Sequence, residues 1–234
     1  MRHASEYDLR ILAWNVRVTR SWREIKPHLE AFLHAHKPDV VVLIECYHVA
    51  DDIAHDLGSQ WRVHYDTKSG APEAHDVVIL VRRSPNVVLY QRGILAHNDT
   101  WVGPNFRRPK RGRVFPWVDV AKNGRAYRIL GVHRISGRRI KENRPVWAAE
   151  TQLLRTFAKK STINRRIYAE IGDRNQSILT GGLKYARSIG GRYWRGHGPD
   201  AAVTIHATAK VRNLGAGGSD HDALLWTLTK ESRK

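Results

Sequence analysis

Five apolar runs in this 234-residue chain end or begin at residues able to do chemistry. Asn15 closes the run from Leu9, Glu45 closes Asp39–Ile44, and His133 closes Tyr127–Val132. Asp173 and Asn175 follow Arg166–Ile171, and Ser219-Asp220-His221 stands just before Leu224–Leu228. Carboxylates offer hard oxygen donors to a divalent cation. Histidines carry protons near neutral pH, and amides orient water or anions. Such a set suits hydrolysis of a phosphate ester, where a nucleophile must approach an anionic phosphorus and extra negative charge must be stabilised. Taken singly these are ordinary residues: a strand-end Glu is usually solvated, and Asp-x-Asn and Ser-Asp-His are common turn sequences. The information lies in their order and strand-end placement, because catalytic groups sit readily on loops held by a rigid sheet.

The elements that must hold them are legible from pattern. Asp39–Ile44 (DVVVLI) is β-branched, too short for a helix, and reads as a strand buried on both faces. Leu9–Val16, Trp61–Tyr65, Val77–Val81, Val87–Tyr90, Val114–Val120, Tyr127–His133, Arg166–Ile171, Ala201–His206 and Leu224–Leu228 also read as strands. Lys122-Asn123-Gly124 marks a hairpin turn. Trp22, Ile25, Leu29 and Phe32 or Leu33 recur at helical spacing after Ser21, with Pro27 expected to open the regular part. Val49–Leu57 reads as a short helix stopped by Gly58, and Pro145 opens a helix running to about Lys160. Trp101–Arg113 and Arg134–Arg144 read as long basic loops. Many strands with few intervening helices predict an α/β sandwich in one domain over residues 1–234, not a doubly wound parallel sheet.

Composition narrows the partner. The chain carries 40 Lys or Arg against 22 Asp or Glu, a net charge of +18. Residues 1–100 are close to neutral, whereas residues 101–170 carry 18 basic against 4 acidic side chains. That clustering predicts a polyanion-binding face rather than general solubility. Trp101 and Phe106 lie among the basic residues of the first loop, where they either stack on bases or pin the loop to the core. Arg134, Arg138, Arg139, Lys141 and Arg144 line the second. Nucleic acid is therefore the expected partner, DNA ahead of RNA, with a monomer as the default. No apolar run approaches the ~20 residues of a membrane span, and no apolar stretch of a secretory signal lies between Met1 and Arg10. Cys46 is the lone cysteine, so no internal disulfide forms and a reducing, cytoplasmic setting is expected.

The ordered set resembles the endonuclease/exonuclease/phosphatase superfamily, which includes pancreatic deoxyribonuclease and the abasic-site endonucleases. The pieces are Leu12-Ala13-Trp14-Asn15, Pro38 to Glu45, Gly131-Val132-His133, Ile171 to Asn175 and Gly218 to Asp222, with a softer match at Gly198 to Val203. They span nearly the whole chain in family order. The resemblance implies a four-layered α-β-β-α sandwich of two mostly antiparallel sheets flanked by helices. It implies a metal-dependent hydrolase using Mg2+ or Mn2+, with Glu45 and Asp220 as metal ligands and Asn15 beside them, facing metal or substrate. Asp173 would take a proton from the attacking water or orient it, and Asn175 would hold that water or a phosphate oxygen. His133 and His221 would face the phosphate, with Asp200 fixing the tautomer of His221. Arg113 would clamp a phosphate, with Arg111 and its neighbours competing for that role. Two positions depart from the pattern: Arg174 replaces an apolar or aromatic residue, and Ile44 replaces a glutamine. The superfamily also holds phosphatases and lipid-headgroup phosphodiesterases; the basic loops favour a DNA endonuclease, nicking or nonspecific.

Overall fold

The computed structural model describes residues 8–17, 19–67, 75–96, 113–135, 143–162, 166–175, 181–197 and 200–231. Arg111, Trp101, Phe106 and most of the basic side chains of the two loops lie outside these residues. The elements run β1 (Leu9–Asn15), α1 (Trp22–His36), β2 (Val40–Ile44), α2 (Ala50–Leu57), β3 (Trp61–His64), β4 (Val77–Arg82), β5 (Val87–Ala96) and β6 (Val114–Lys122). They continue with β7 (Arg125–His133), α3 (Arg144–Ser161), β8 (Ile167–Asp173), α4 (Leu183–Ser188), β9 (Arg192–Arg195), β10 (Asp200–Ile205), β11 (Ala207–Asn213) and β12 (Leu224–Lys230).

Among the described residues the strands form two six-stranded sheets, ordered β11-β12-β1-β2-β4-β3 and β5-β6-β7-β8-β10-β9. Their inner faces meet in an apolar layer that includes Ile11, Val42, Ile79, Val118, Ile129 and Ala169. Burying each Val, Leu or Ile there stabilises by ~1.5–3 kcal/mol. Ile25 and Leu29 of α1 and Ile53 and Leu57 of α2 pack on the outer face of the first sheet. Leu154 and Ala158 of α3 and Tyr185 and Ala186 of α4 pack on the second. The result is the expected four-layered α-β-β-α sandwich. No helix among the described residues is long and apolar enough to cross a membrane.

Several local expectations change. The first helix starts at Trp22, not Pro27, because Glu24 Oε2 accepts from Ser21 N at 2.8 Å and from Ser21 Oγ at 2.6 Å. That capping satisfies the entry, and Pro27 rides inside the helix. The Val87 strand extends to Ala96 across a bulge at Tyr90, between Leu89 and Gln91. The short α4, β9 and β11 carry no clear apolar period and went unforeseen. β11 follows β10 directly yet lies in the other sheet, the chain crossing over at His206 with a left-handed φ of 63°.

Two parallel pairs, β1 with β2 and β7 with β8, sit among otherwise antiparallel neighbours. Parallel pairing brings like ends together, so Asn15 lies opposite Ile44 and His133 opposite Asp173. Antiparallel β10 then enters at the same end, with Asp200 opposite Asp173. Gly172 is needed for the close approach of β8 to β7: its φ is 141°, and a Cβ there would lie 2.2 Å from Val132 O.

Candidate active site

The strand ends of both sheets converge on one cleft. Its floor is the row His133, Asp173, Asp200, one residue from each of β7, β8 and β10 in direct register. His133 is buried, and the Asp76 carboxylate accepts from its Nδ1 at 2.9 Å. Nε2 of His133 is left between two carboxylates, 3.9 Å from Glu45 Oε1 and 3.9 Å from Asp173 Oδ2. Burial and the Arg113 guanidinium oppose protonation of this imidazole, but Asp76 and Asp173 outweigh them and hold its pKa above the ordinary value. Asp76 is itself fully buried, which opposes its ionisation; Arg113 and His133 overcome this and keep its pKa low.

A second histidine has the same construction. Asp200 Oδ2 accepts from His221 Nδ1 at 2.9 Å, which leaves Nε2 for a ligand. That hydrogen bond is the main reason the His221 pKa rises to about 9. Ligating atoms of Asp173, Asp200 and His221 all lie within 4.8 Å of one another. Ser219 ties the loop carrying His221 to the first sheet, donating from Oγ to Asn15 O at 2.7 Å.

Glu45 sits at the lip with a left-handed φ of 65°, a strained backbone for a non-glycine residue. Cys46 N donates to Asp76 O at 3.1 Å, holding the turn. Asn15 Nδ2 donates to Glu45 Oε1 at 3.1 Å, and Asn15 Oδ1 accepts from Arg17 N at 3.0 Å. As placed, Asn15 orients Glu45, and its amide oxygen accepts from the Arg17 backbone. Asp220 is exposed, with Oδ1 3.3 Å from Ser219 Oγ.

The Asp173–Asn175 turn is locked by its own atoms. Asp173 Oδ1 accepts from Asn175 N at 2.8 Å, and Asn175, at φ 44°, donates from Nδ2 to Arg134 O at 2.6 Å. Arg134 N donates in turn to Asp173 O at 3.0 Å. Arg174, between them, turns away from the cleft into the layer beneath. It is fully buried, ion-paired with Glu170 and lies over the Tyr185 ring at 4.8 Å. Glu170 also accepts from Tyr168 Oη at 2.8 Å and from Tyr185 Oη. Arg134 donates to Glu150 Oε2 of α3 at 2.8 Å.

Arg113 requires correction. It is buried, and its guanidinium pairs with Asp76 and donates to Tyr47 Oη, so it braces Asp76 behind His133 rather than reaching for a phosphate. Asp76 was missed in the sequence, although a signal existed: it directly precedes the apolar run Val77–Val81, as Asp200 precedes Ala201.

No protein-family model matches the chain, and no curated protein sequence matches it. Solved structures do. The human Nocturnin catalytic domain with bound sulfate superposes with a TM-score of 0.73 at 17% identity, over 96% of this chain and 95% of that one. An endonuclease/exonuclease/phosphatase from Bacteroides vulgatus gives 0.68 at 14%, over 96% and 99%. The chain has the endonuclease/exonuclease/phosphatase fold. D. rerio TDP2 complexed with single-strand DNA product shares this fold, with a TM-score of 0.64 at 17% identity over 95% of this chain and 99% of that one. In the endonuclease/exonuclease/phosphatase fold of this chain, the five motif pieces all meet at one end of the sandwich, although residues as distant as Asn15 and Ser219 must come into contact to do so.

The His221 assignment is directly measurable. In metal-free protein, NMR titration should give His221 a pKa of about 9, and Asp200→Asn should return it toward the ordinary ~6.5. A raised folded-state pKa contributes stability that is complete below the unfolded value and is lost as pH rises through the folded one. Wild-type stability should therefore decline from about pH 6.5 to about 9, and Asp200→Asn should flatten that decline. An unshifted His221 in the wild type would refute the pairing.

Proposed function

We propose that this protein is a divalent-metal-dependent phosphodiester hydrolase acting on nucleic acid, most specifically a DNA endonuclease. The observation that carries the reading is the set of two Asp-backed histidines, His133–Asp76 and His221–Asp200, closing on Asp173 from both sides. Two proton donors flanking one buried carboxylate suit a reaction in which water attacks a phosphodiester and an alkoxide leaves.

The residues fit a hard cation. Glu45 offers carboxylate oxygens held by Asn15 and 3.9 Å from His133 Nε2, and Asp173, Asp200 and His221 bring ligating atoms within 4.8 Å of one another. Glu45 and Asp220 would hold Mg2+ or Mn2+, which supplies charge neutralisation at the phosphate. Asp173 accepts the proton of the attacking water, its other oxygen fixed by Asn175 N. Asn175 and the Arg134 backbone keep that carboxylate in place. His133 and His221 present Nε2 to the phosphate oxygens or the leaving oxygen. Arg111, Arg138, Arg139 and Lys141 would follow the phosphate backbone. The charge of +18 and its clustering support a polyanionic substrate over a small phosphate ester.

The test is supercoiled plasmid incubated with Mg2+, Mn2+ or EDTA, beside Asp173→Asn and His221→Ala. Open circles should form only with metal, and each variant should slow nicking by at least ~100-fold. A structured RNA run in parallel reports the alternative polymer. Intact plasmid and RNA combined with turnover of small phosphomonoesters would move the protein among the phosphatases.

A further inference from the structure

Away from the strand-end cleft, the flank of the sandwich carries a groove that the catalytic reading does not use. β3 is the edge strand of the first sheet and β5 the edge strand of the second. The two edges lie side by side, bridged where His64 Nε2 meets Gly93 O at 2.9 Å. Between them runs a groove of about 430 Å³ lined by Arg62, Arg83, Arg92, Tyr90 and Gln91, with Val63 and Leu89 at its base. It is continuous, through Val63 and Arg92, with a second hollow of about 460 Å³ that reaches His64, Asp66 and Ile94.

Three features point to a ligand. First, three arginines line one groove whose lining contains no carboxylate; none of the three forms an ion pair among the described residues, and Arg83 Nε donates to Gly58 O at 3.2 Å. Like charges held together in this way favour an anion between them, and guanidinium forks match phosphate oxygens. Arg83 and Arg92 are exposed, so their charges face solvent. Second, Tyr90 is the bulged residue of β5 and is 47% exposed, one of few large apolar side chains left open among the described residues. Bulges commonly mark functional edges, and an exposed ring beside arginines offers a stacking surface for a base. Third, the groove has a direction. β3 is antiparallel to β4, with His64 opposite Ile79 and Trp61 opposite Arg82. The His64 end therefore lies at the same end of the sandwich as Asp76, and the Arg83 end lies away from it.

We propose that this flank binds the sugar-phosphate backbone of a nucleic-acid strand extending beyond the cleaved bond. The inference rests on the nucleic-acid reading above and adds a second site to it. The four residues of β3 span about 13 Å, so only substrates several nucleotides long would reach from cleft to groove.

The test uses Arg62→Gln/Arg83→Gln/Arg92→Gln, a matching triple Lys variant, and the single Arg92→Glu as a milder second probe. Binding of single-stranded DNA of about 4 and about 20 nucleotides is measured against salt, in EDTA on an Asp173→Asn background. Removing three phosphate contacts should reduce the slope of log K against log salt by about 2 for the long strand and leave the short one unchanged. Affinity for the long strand at low salt should fall at least about tenfold, and the Lys triple should restore most of it. Hydrolysis of bis(p-nitrophenyl) phosphate should be unaffected in the wild-type background. Unchanged slope and affinity in both the Gln triple and Arg92→Glu overturn the groove while leaving plasmid nicking intact. Loss of binding to anionic phospholipid vesicles in place of DNA also overturns it. If the slope falls but wild-type protein nicks no plasmid, the groove stands and the catalytic reading fails.

Discussion

Asp76→Asn should lower both activity and stability. The substitution keeps the shape of the side chain and removes its charge. Arg113 then remains buried without the anion that neutralises it, and breaking a buried pair in this way costs ~3 kcal/mol or more. His133 loses the carboxylate that accepts from Nδ1, so neither its tautomer nor its charge is held. Removing a positioned proton carrier costs about 10²–10⁴ in rate, and kcat should fall within that range while KM changes little. The pH profile separates chemistry from packing. Asp76 and Asp173 raise the His133 pKa, so the variant's His133 should deprotonate at lower pH and the alkaline limb of kcat should move down. Stability changes in the opposite sense at the acid side. A depressed carboxyl contributes stability that is present above its unfolded pKa and lost as pH falls through the folded one, so the acid loss assigned to Asp76 should vanish. Urea unfolding and a kcat profile from pH 5 to 9 would test this, and a variant with wild-type kcat and midpoint would sink it.

The second large effect lies beneath the cleft. Arg174→Met should destabilise by ~3–5 kcal/mol, because it leaves the Glu170 carboxylate fully buried with only the hydroxyls of Tyr168 and Tyr185 against it. For a chain of this size that corresponds to a Tm drop of roughly 10 °C. Glu170→Gln/Arg174→Met should recover most of the loss, since the amide keeps an acceptor for both tyrosines and no charge remains buried. The natural pair is not saturated: Arg174 Nε and Nη2 are buried without hydrogen-bond partners, which makes recovery by a neutral pair easier. A double variant as unstable as the single one would show that Glu170 and Arg174 are not energetically coupled. Arg174 is flanked by Asp173 and Asn175, so the double variant should fold well yet show reduced kcat if the buried pair also sets the angle of that turn.

The pattern of the chain by itself determined the strands of the central sheets, because runs such as Val40–Ile44 and Val77–Val81 are apolar on both faces and admit no other burial. It also determined the Asn123-Gly124 hairpin, where both residues adopt positive φ. The order of Asn15, Glu45, His133, Asp173 and His221 was legible for the same reason: each polar residue interrupts an apolar run. Tertiary structure decided what those residues touch. Nothing along the chain singles out Asp76 as a partner of His133; only the packing of the first sheet on the second sets its carboxylate against that residue of β7. Arg113 read as a phosphate clamp and Arg174 as a departure from the family pattern, and only the packed layers show each buried beside a carboxylate, Asp76 and Glu170. The edge strands β9 and β11 were hidden because half-exposed edges carry mixed side chains that no period marks. A burial pattern is local and can be read along the chain, whereas the partner of a buried charge is a neighbour in space that no local spacing encodes.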